Sequence, residues 1–331
     1  MTTEPPSEAS TEHGADSAAR RLRRIQPWLA AAAFVAAAFL VHRALRDVSL
    51  EEIGAALASI SARNVLLGAA FTAGSYLCLT AFDALGVRYT GRRLPYRKIA
   101  LASFTALSIG HTLGFAALSS GALRYRFYTA WGLSPGDVGR IVLFSGVTVA
   151  AGAGTAGAAA ALLRPGLVAE TFGAPRAAIL AAGALLIAAV GAYLAWAALG
   201  RRPLRVRRFV LPVPGLGLAL GQAAFGAADF LLVSAVLHQM IAASGDVPYA
   251  AVAAAYVLGN VAGVVTHVPG GLGVVEAVVV VLVPGAHVVG ALIAFRAIYY
   301  LVPFVLGCAA LAATELSRRA ARLTLAERDA R

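Results

Sequence analysis

Seven long apolar stretches, separated by short basic or glycine-rich segments, dominate the sequence and suit it to a membrane. A hydrocarbon core about 30 Å thick takes roughly 20 residues of α-helix to cross. Hydrophobic residues make up 60% of the chain and charged residues only 13%, too few polar groups to cover a soluble domain. The sequence therefore predicts an all-α, polytopic integral membrane helical bundle with about seven to eight spans plus broken or re-entrant helices. The predicted spans lie near 25–41, 65–85, 138–163, 177–199, 217–242, 248–266 and 287–311.

The predicted domain organisation is a single transmembrane domain, 20–315, between two polar tails. Residues 1–19 are polar and lack apolar periodicity, which is typical of a disordered tail. Residues 316–331 form a basic tail. Apolar residues between Leu50 and Ile60 recur at helical spacing among charged residues, which predicts an amphipathic helix at the membrane interface.

Clusters of arginine predict the orientation of the chain. The formal net charge is +12, and most cations lie at 20–24, 88–98, 201–208 and 318–331. Because cytoplasmic loops of membrane proteins are enriched in Lys and Arg, we expect both termini in the cytoplasm. The charge then reflects orientation and contact with anionic lipid rather than binding of nucleic acid.

Two apolar segments, 99–123 and 267–284, are interrupted by residues that break helices. The first contains Gly110, His111, Gly114 and Gly121. The second opens with His267, Val268, Pro269, Gly270 and Gly271. Backbone that leaves the helix at membrane depth must be buried in protein or line a watery cavity, so both are candidate broken or re-entrant segments. The arginine clusters require 99–123 to return to the side that it entered from.

Arg296 is predicted to lie near the middle of the last span. A charge at that depth costs at least about 2.5–3.5 kcal/mol unless it is paired or hydrated. Glu276 is the one acidic residue of the short helix that follows Gly271, so we expect an ion pair between Glu276 and Arg296. Such a pair either contributes to a functional site or only fixes helix packing.

Arg124 and Arg126 follow the first broken segment, with Tyr128 beside them. If 99–123 re-enters from the cytoplasm, these arginines stand at its mouth, where guanidinium groups bind phosphate bidentately. The alternative is a basic stop at the membrane surface, with side chains that extend to the headgroups.

The remaining polar candidates are assigned to the interior. His111 and His267 have no second ligand at metal-binding spacing, so structural histidines are the preferred interpretation. Asn260 is placed to satisfy carbonyls near the second break. As a candidate for the polar interior, Asp229 ranks above Asp83, because Asp83 lies near the end of a predicted span. No nucleotide-binding, hydrolase or cofactor motif is complete, and we expect neither cofactor nor metal.

Three motifs in order carry a resemblance to a known family. They are Leu113-Gly-Phe-Ala-Ala-Leu-Ser-Ser-Gly-Ala-Leu-Arg-Tyr-Arg-Phe-Tyr128, His267-Val-Pro-Gly-Gly-Leu-Gly-Val-Val-Glu276 and Arg296-Ala-Ile-Tyr-Tyr300. Over about 25–315, the chain resembles the lysylphosphatidylglycerol synthase transmembrane family, the flippase-type membrane domain of multiple peptide resistance factors and their stand-alone relatives. The resemblance implies movement of anionic or aminoacylated phospholipid between the leaflets of a bacterial inner membrane.

The expected function is therefore that of a flippase-like transporter of lipids such as phosphatidylglycerol. The headgroup candidates are Arg124, Arg126, Tyr128, Glu276, Arg296 and Tyr299. The polar-core or broken-helix candidates are His111, Gly114, Gly121, Asp229, Asn260, His267, Pro269, Gly270 and Gly271. Because no aminoacyltransferase domain follows the last predicted span, we expect no enzymatic activity. The alternatives are the membrane half of a split synthase with a separate soluble aminoacyltransferase, and a non-transporting envelope scaffold.

Overall fold

The computed structural model of the protein describes residues 50–113, 116–200, 204–206, 209–242, 246–266, 273–283 and 288–329. The predicted tail 1–19 and the predicted span 25–41 lie outside these residues. So do five of the candidate residues: Gly114, His267, Pro269, Gly270 and Gly271.

The described chain is a helical bundle, which confirms the predicted all-α, polytopic membrane fold. The helices are α1 Leu50–Ala58, α2 Ala62–Tyr89, α3 Tyr96–Leu113, α4 Ala116–Ala130, α5 Pro135–Leu163, α6 Pro165–Phe172, α7 Arg176–Leu199, α8 Leu216–Ile241, α9 Tyr249–Thr266, α10 Val274–Leu282, α11 Val288–Arg296 and α12 Val302–Asp329. A π-helical segment, Ala297–Leu301, joins α11 to α12 without a break. Two short antiparallel strands, β1 Leu204–Val206 and β2 Phe209–Leu211, form a hairpin before α8.

Five helices of the described part are long and apolar enough to cross a membrane. They are Ala62–Tyr89, Pro135–Leu163, Arg176–Leu199, Leu216–Ile241 and Val288–Ser317. Large apolar side chains such as Leu66, Leu77 and Leu185 remain exposed on their outer faces. In a bundle surrounded by hydrocarbon, such side chains face lipid rather than water.

The segment 99–123 lies in a helical hairpin formed by α3 and α4. Gly110 and His111 lie inside α3 and Gly121 lies inside α4, so the prediction that these three residues interrupt a helix is wrong. A Cβ on Gly110 would lie 2.8 Å from the Cβ of Ser120, so only glycine permits this approach of the two helices. At the opposite end, the Lys98 Nζ lies 5.6 Å from the ring centroid of Trp131. The hairpin therefore begins and ends on one side of the bundle.

Three contacts mark that same end of the bundle. The Tyr89 hydroxyl at the end of α2 donates to the Pro212 carbonyl before α8, at 2.6 Å. Asp137 closes a capping box with Ser134 at the start of α5, and its Oδ2 also accepts from Arg92 Nε at 3.2 Å. Basic residues around Arg92 and Lys98 thus lie at the end where α8 begins.

Close contact between glycines joins α5 to α8. A Cβ on Gly226 of α8 would lie 2.5 Å from the Thr148 carbonyl oxygen, and one on Gly152 of α5 would overlap the backbone of Gly226. Small residues at such crossings let two transmembrane backbones approach closely. This crossing positions the middle of α8, which carries Asp229.

We predict that Gly226→Ala destabilises the bundle. The added methyl group has no space beside Thr148, and overpacking of this kind costs about 1–3 kcal/mol. Gly146→Ala is the matched control on α5, because nothing lies within 4 Å of a Cβ at that position. The thermal unfolding midpoint in detergent should fall for Gly226→Ala and stay level or rise for Gly146→Ala. Equal midpoints for both variants would contradict the close crossing.

Candidate lipid-headgroup site

Glu276 and Arg296 form the ion pair that the sequence predicts. Glu276 Oε1 accepts from Arg296 Nε at 2.6 Å and also lies 2.6 Å from Nη2. Glu276 Oε2 also accepts from the backbone N–H of Gly273 at 2.8 Å. The side chains of Arg296 and Glu276 remain 34% and 21% exposed. The pair is therefore formed, but part of each charged group stays accessible.

The local backbone explains why the pair forms here. Gly273 adopts a φ of 82°, a left-handed conformation that favours glycine, and it begins α10 beside the second predicted break. Glu276 lies in the first turn of α10, where a negative charge is stabilised by the helix dipole. Arg296 is the last residue of α11 before the π-helical segment, and its guanidinium reaches the first turn of α10 from there.

A second polar group lies at the centre of the bundle, and we call it the Asp229 cluster: Ser75, Asp229 and Tyr299. Ser75 lies near the middle of α2 and donates through Oγ to Asp229 Oδ1 at 2.5 Å. The Tyr299 hydroxyl lies 3.1 Å from the same Ser75 oxygen. The cluster therefore links α2, α8 and the π-helical segment at mid-membrane depth.

Aromatic residues connect the Asp229 cluster with the Glu276–Arg296 pair. Tyr299 stacks on Phe295, with ring centroids 5.6 Å apart, and Tyr300 meets Tyr299 edge-on at 5.0 Å. Tyr300 follows Arg296 by four residues, so it lies between the ion pair and Tyr299 of the Asp229 cluster. The π-helical turn contributes to this arrangement, since it changes the helical phase between Arg296 and the residues after it.

Two further polar side chains border this aromatic group. The Tyr256 side chain of α9 lies near the side chains of Asn260 and Tyr300. Asn260 thus neighbours a tyrosine side chain, and its predicted contact with carbonyls of the second break falls outside the described residues. Tyr76 of α2 packs against Tyr299, with ring centroids 5.8 Å apart.

Arg124 does not stand at a cytoplasmic mouth, so that prediction is wrong. Its guanidinium forms a bidentate pair with Asp83, with Nη2–Oδ1 at 2.7 Å and Nε–Oδ2 at 2.9 Å. Nη1 donates to Ser120 at 3.1 Å, and the Tyr128 hydroxyl donates to Asp83 Oδ2 at 2.7 Å. Arg124 is only 3% exposed and Asp83 is fully buried. Neither Arg124 nor Tyr128 is therefore presented to a lipid headgroup.

The physical reason is that α4 turns Arg124 toward α2 rather than toward the membrane surface. The sequence ranked Asp229 above Asp83 as a residue of the polar interior, and this ranking is wrong. The helix α2 continues to Tyr89, so Asp83 is enclosed within the bundle. Ser145 of α5 adds a weaker hydrogen bond to Asp83 at 3.5 Å. Every charged atom of the pair thus has a partner, as a buried ion pair requires.

Arg126 remains near the surface. Its Nη2 lies 2.5 Å from Glu315 Oε2 of α12, and the two side chains are 22% and 29% exposed. Among the headgroup candidates Arg124, Arg126 and Tyr128 of the first motif, Arg126 is therefore the one that stays accessible.

Sequence reasoning missed several members of these groups. Ser75, Tyr76 and Tyr300 were absent from the candidates, although small polar and tyrosine residues in the middle of apolar spans are a usable signal. Ser120 could have been found from its helical i, i+4 spacing to Arg124. Across the residues with described coordinates, no group of three or more His, Cys, Asp or Glu side chains is arranged to hold a metal ion.

Comparison with known proteins places the chain in a family. No family model matches it. It is 30% identical over 246 residues to the uncharacterized protein slr0712 of Synechocystis, a similarity that covers 73% of this chain and 76% of that protein. The chain belongs to the same family as slr0712.

A second relative extends the comparison. The inner membrane protein YbhN of Escherichia coli is 28% identical over 299 residues, which cover 87% of this chain and 90% of YbhN. Neither printed name refers to lysylphosphatidylglycerol synthase, so that resemblance stays a prediction.

We predict that Arg124→Leu destabilises the protein strongly. The change leaves the buried Asp83 carboxylate uncompensated, and breaking a buried pair costs about 3–5 kcal/mol. Arg126→Leu is the matched control, since loss of a partly exposed pair costs at most about 1 kcal/mol. The measurement is the thermal unfolding midpoint in detergent.

The double variant Asp83→Leu with Arg124→Leu should recover much of the lost stability, because it removes both charges together. An Arg124→Leu protein as stable as the wild type would contradict the structural role of the pair.

Proposed function

We propose that the protein moves anionic or aminoacylated phospholipid, of the phosphatidylglycerol type, between the leaflets of a bacterial inner membrane, without catalysing a chemical step. The single observation that carries the proposal is the Glu276–Arg296 pair, which is formed yet partly exposed at the first turn of α10. The relative YbhN is named as an inner membrane protein, which supports the proposed location.

The chemistry of the pair suits a phospholipid headgroup. The Arg296 guanidinium can donate two parallel hydrogen bonds to a phosphodiester. The Glu276 carboxylate can accept from a headgroup hydroxyl or ammonium group. While the site is empty the two side chains neutralise each other, so neither charge stands alone inside the membrane.

The Asp229 cluster and the tyrosines extend this polar surface toward the centre of the bundle. Tyr299 and Tyr300 provide hydroxyls between Arg296 and Asp229, and a headgroup can exchange hydrogen bonds with them along this line. The acyl chains remain in the surrounding lipid. Movement of the polar headgroup is the slow part of lipid transfer, since it must be removed from water.

The basic end of the bundle supports the proposed orientation. Lys98 and Arg92 lie at the end where the hairpin α3–α4 begins and ends. Cationic residues at a cytoplasmic surface attract anionic lipids by about 1 kcal/mol each. We place this end, and both termini, on the cytoplasmic side, and Arg126 then lies close to the leaflet from which lipid is collected.

We predict that Glu276→Gln and Arg296→Gln each slow lipid movement by about tenfold or more, the effect of about 1.4 kcal/mol. The measurement is the rate at which labelled phosphatidylglycerol changes leaflet in liposomes that contain the purified protein. Glu170→Gln is the matched control, because Glu170 is an exposed acid of the short helix α6.

A charge swap separates binding from packing. The variant Glu276→Arg with Arg296→Glu keeps an ion pair but reverses the groups offered to the headgroup. We expect it to fold and to remain slow. If the swapped variant and both single variants move lipid at the wild-type rate, the pair only stabilises helix packing.

A further inference from the structure

Asp229 is an interior acid for which the described residues offer no cation. Asp83 is paired with Arg124 and Glu276 with Arg296, at 2.7 and 2.6 Å. Asp229 instead accepts one hydrogen bond, from the Ser75 hydroxyl to Oδ1. It lies near the midpoint of α8, whose length suffices to cross the membrane.

An ionised carboxylate at this depth is costly. Insertion of a charged Asp at the centre of a membrane helix is unfavourable, and a neutral carboxylic acid avoids most of that cost. The side chain keeps some accessible surface, since it is only partly buried. Asp229 is therefore less enclosed than Asp83, which is fully buried.

We propose that Asp229 is a proton-binding site, and that it takes up and releases one proton in each cycle of headgroup movement. The coupling rests on the proposed transport function, whereas binding of the proton does not. On uptake, an O–H bond forms between a proton from water and the carboxylate; on release, that bond breaks and the proton returns to water. No other bond changes.

The surrounding hydrogen bonds accommodate both states of the carboxyl group. Oδ1 accepts from Ser75, while Oδ2 accepts no hydrogen bond from the described residues and is free to carry the proton. When Asp229 is ionised, the Ser75 hydroxyl stabilises its charge and can itself accept from Tyr299. The Tyr76 hydroxyl is buried without a hydrogen-bond partner in this part of the structure, and it interacts electrostatically with Asp229.

The groups that face Asp229 from the neighbouring elements do not titrate near neutral pH. From α2, α9 and the π-helical segment they are Tyr76, Cys78, Tyr256, Tyr299 and Tyr300. Phenols and thiols ordinarily lose their protons above about pH 8. The ionisable side chains of α5, α7 and α11 lie away from Asp229. Asp137, Arg140 and Arg176 are near helix ends. Tyr193 is hydrogen-bonded to Gln222, and Arg296 is paired with Glu276.

Tyr300 provides a route by which the proton affects the headgroup site. It packs edge-on against Tyr299, whose hydroxyl lies 3.1 Å from the Ser75 oxygen that donates to Asp229, and it follows Arg296 by four residues in the same helix. Loss of the proton places a negative charge at Asp229, which strengthens attraction of a cation and weakens that of an anion at this end of the polar surface. A change of protonation therefore alters how strongly the headgroup is held.

The first test measures protonation directly, by infrared titration of the full chain in lipid nanodiscs from about pH 4 to pH 10, a range that covers solvated and buried carboxyl groups. We expect a protonated-carboxyl band of a non-aqueous environment that disappears in Asp229→Asn. It should remain in Asp246→Asn, the matched control, because Asp246 is exposed. Persistence of the band in Asp229→Asn would overturn the proposal.

A second variant tests the assignment even if Asp229→Asn does not fold. Ser75→Ala keeps the carboxyl group and removes its hydrogen-bond donor, so the pH of half-titration of the band should change. A titration identical to that of the wild type would contradict the assignment.

The second test measures the pH dependence of phosphatidylglycerol movement in liposomes. We expect the wild-type rate to vary by about tenfold over that pH range and the Asp229→Asn rate to be independent of pH. Unchanged pH dependence in Asp229→Asn, or a requirement for Na⁺ at constant pH, would overturn the proposal. If the Asp229 band titrates but the protein moves no lipid, Asp229 is still a proton-binding site and the proposed transport function is wrong.

Discussion

The buried ion pair between Asp83 and Arg124 is the interaction on which the described bundle depends. It joins α2 to α4, and through Ser145 it reaches α5. Two charges inside hydrocarbon are tolerated only when each atom has a partner, and here the partners are complete. The pair thereby fixes the rotation of the hairpin α3–α4 against the bundle. In this rotation Arg124 and Tyr128 of α4 face inward, toward Asp83.

Three interior acids illustrate how surroundings determine role. Asp83 is enclosed and fully paired, so it contributes to stability. Glu276 is paired but partly exposed, so it can exchange its partner for a ligand. Asp229 has a hydroxyl as its partner and no cation among the described residues, so a proton is the simplest source of neutrality. Accessibility and pairing, more than the presence of charge, separate structural from functional groups.

The sequence predicted the fold class and the contact of Glu276 with Arg296, because hydropathy and the cost of isolated charge act locally. It could not predict that Arg124 turns inward. That orientation depends on a contact with Asp83, which lies 41 residues away on another helix, and apolar helices give little periodic signal for their rotation. The π-helical turn after Arg296 also has no sequence signature, so the position of Tyr300 was missed.

The central claim is that headgroups bind at the Glu276–Arg296 pair and not at Arg124. Photo-crosslinking tests it most directly: the protein in liposomes is labelled with phosphatidylglycerol that carries a photoreactive headgroup, then digested and analysed by mass spectrometry. We predict labels on α10, α11 and the π-helical segment that excess unlabelled phosphatidylglycerol suppresses. Labels confined to α4 around Arg124, with none near Glu276, would contradict the account.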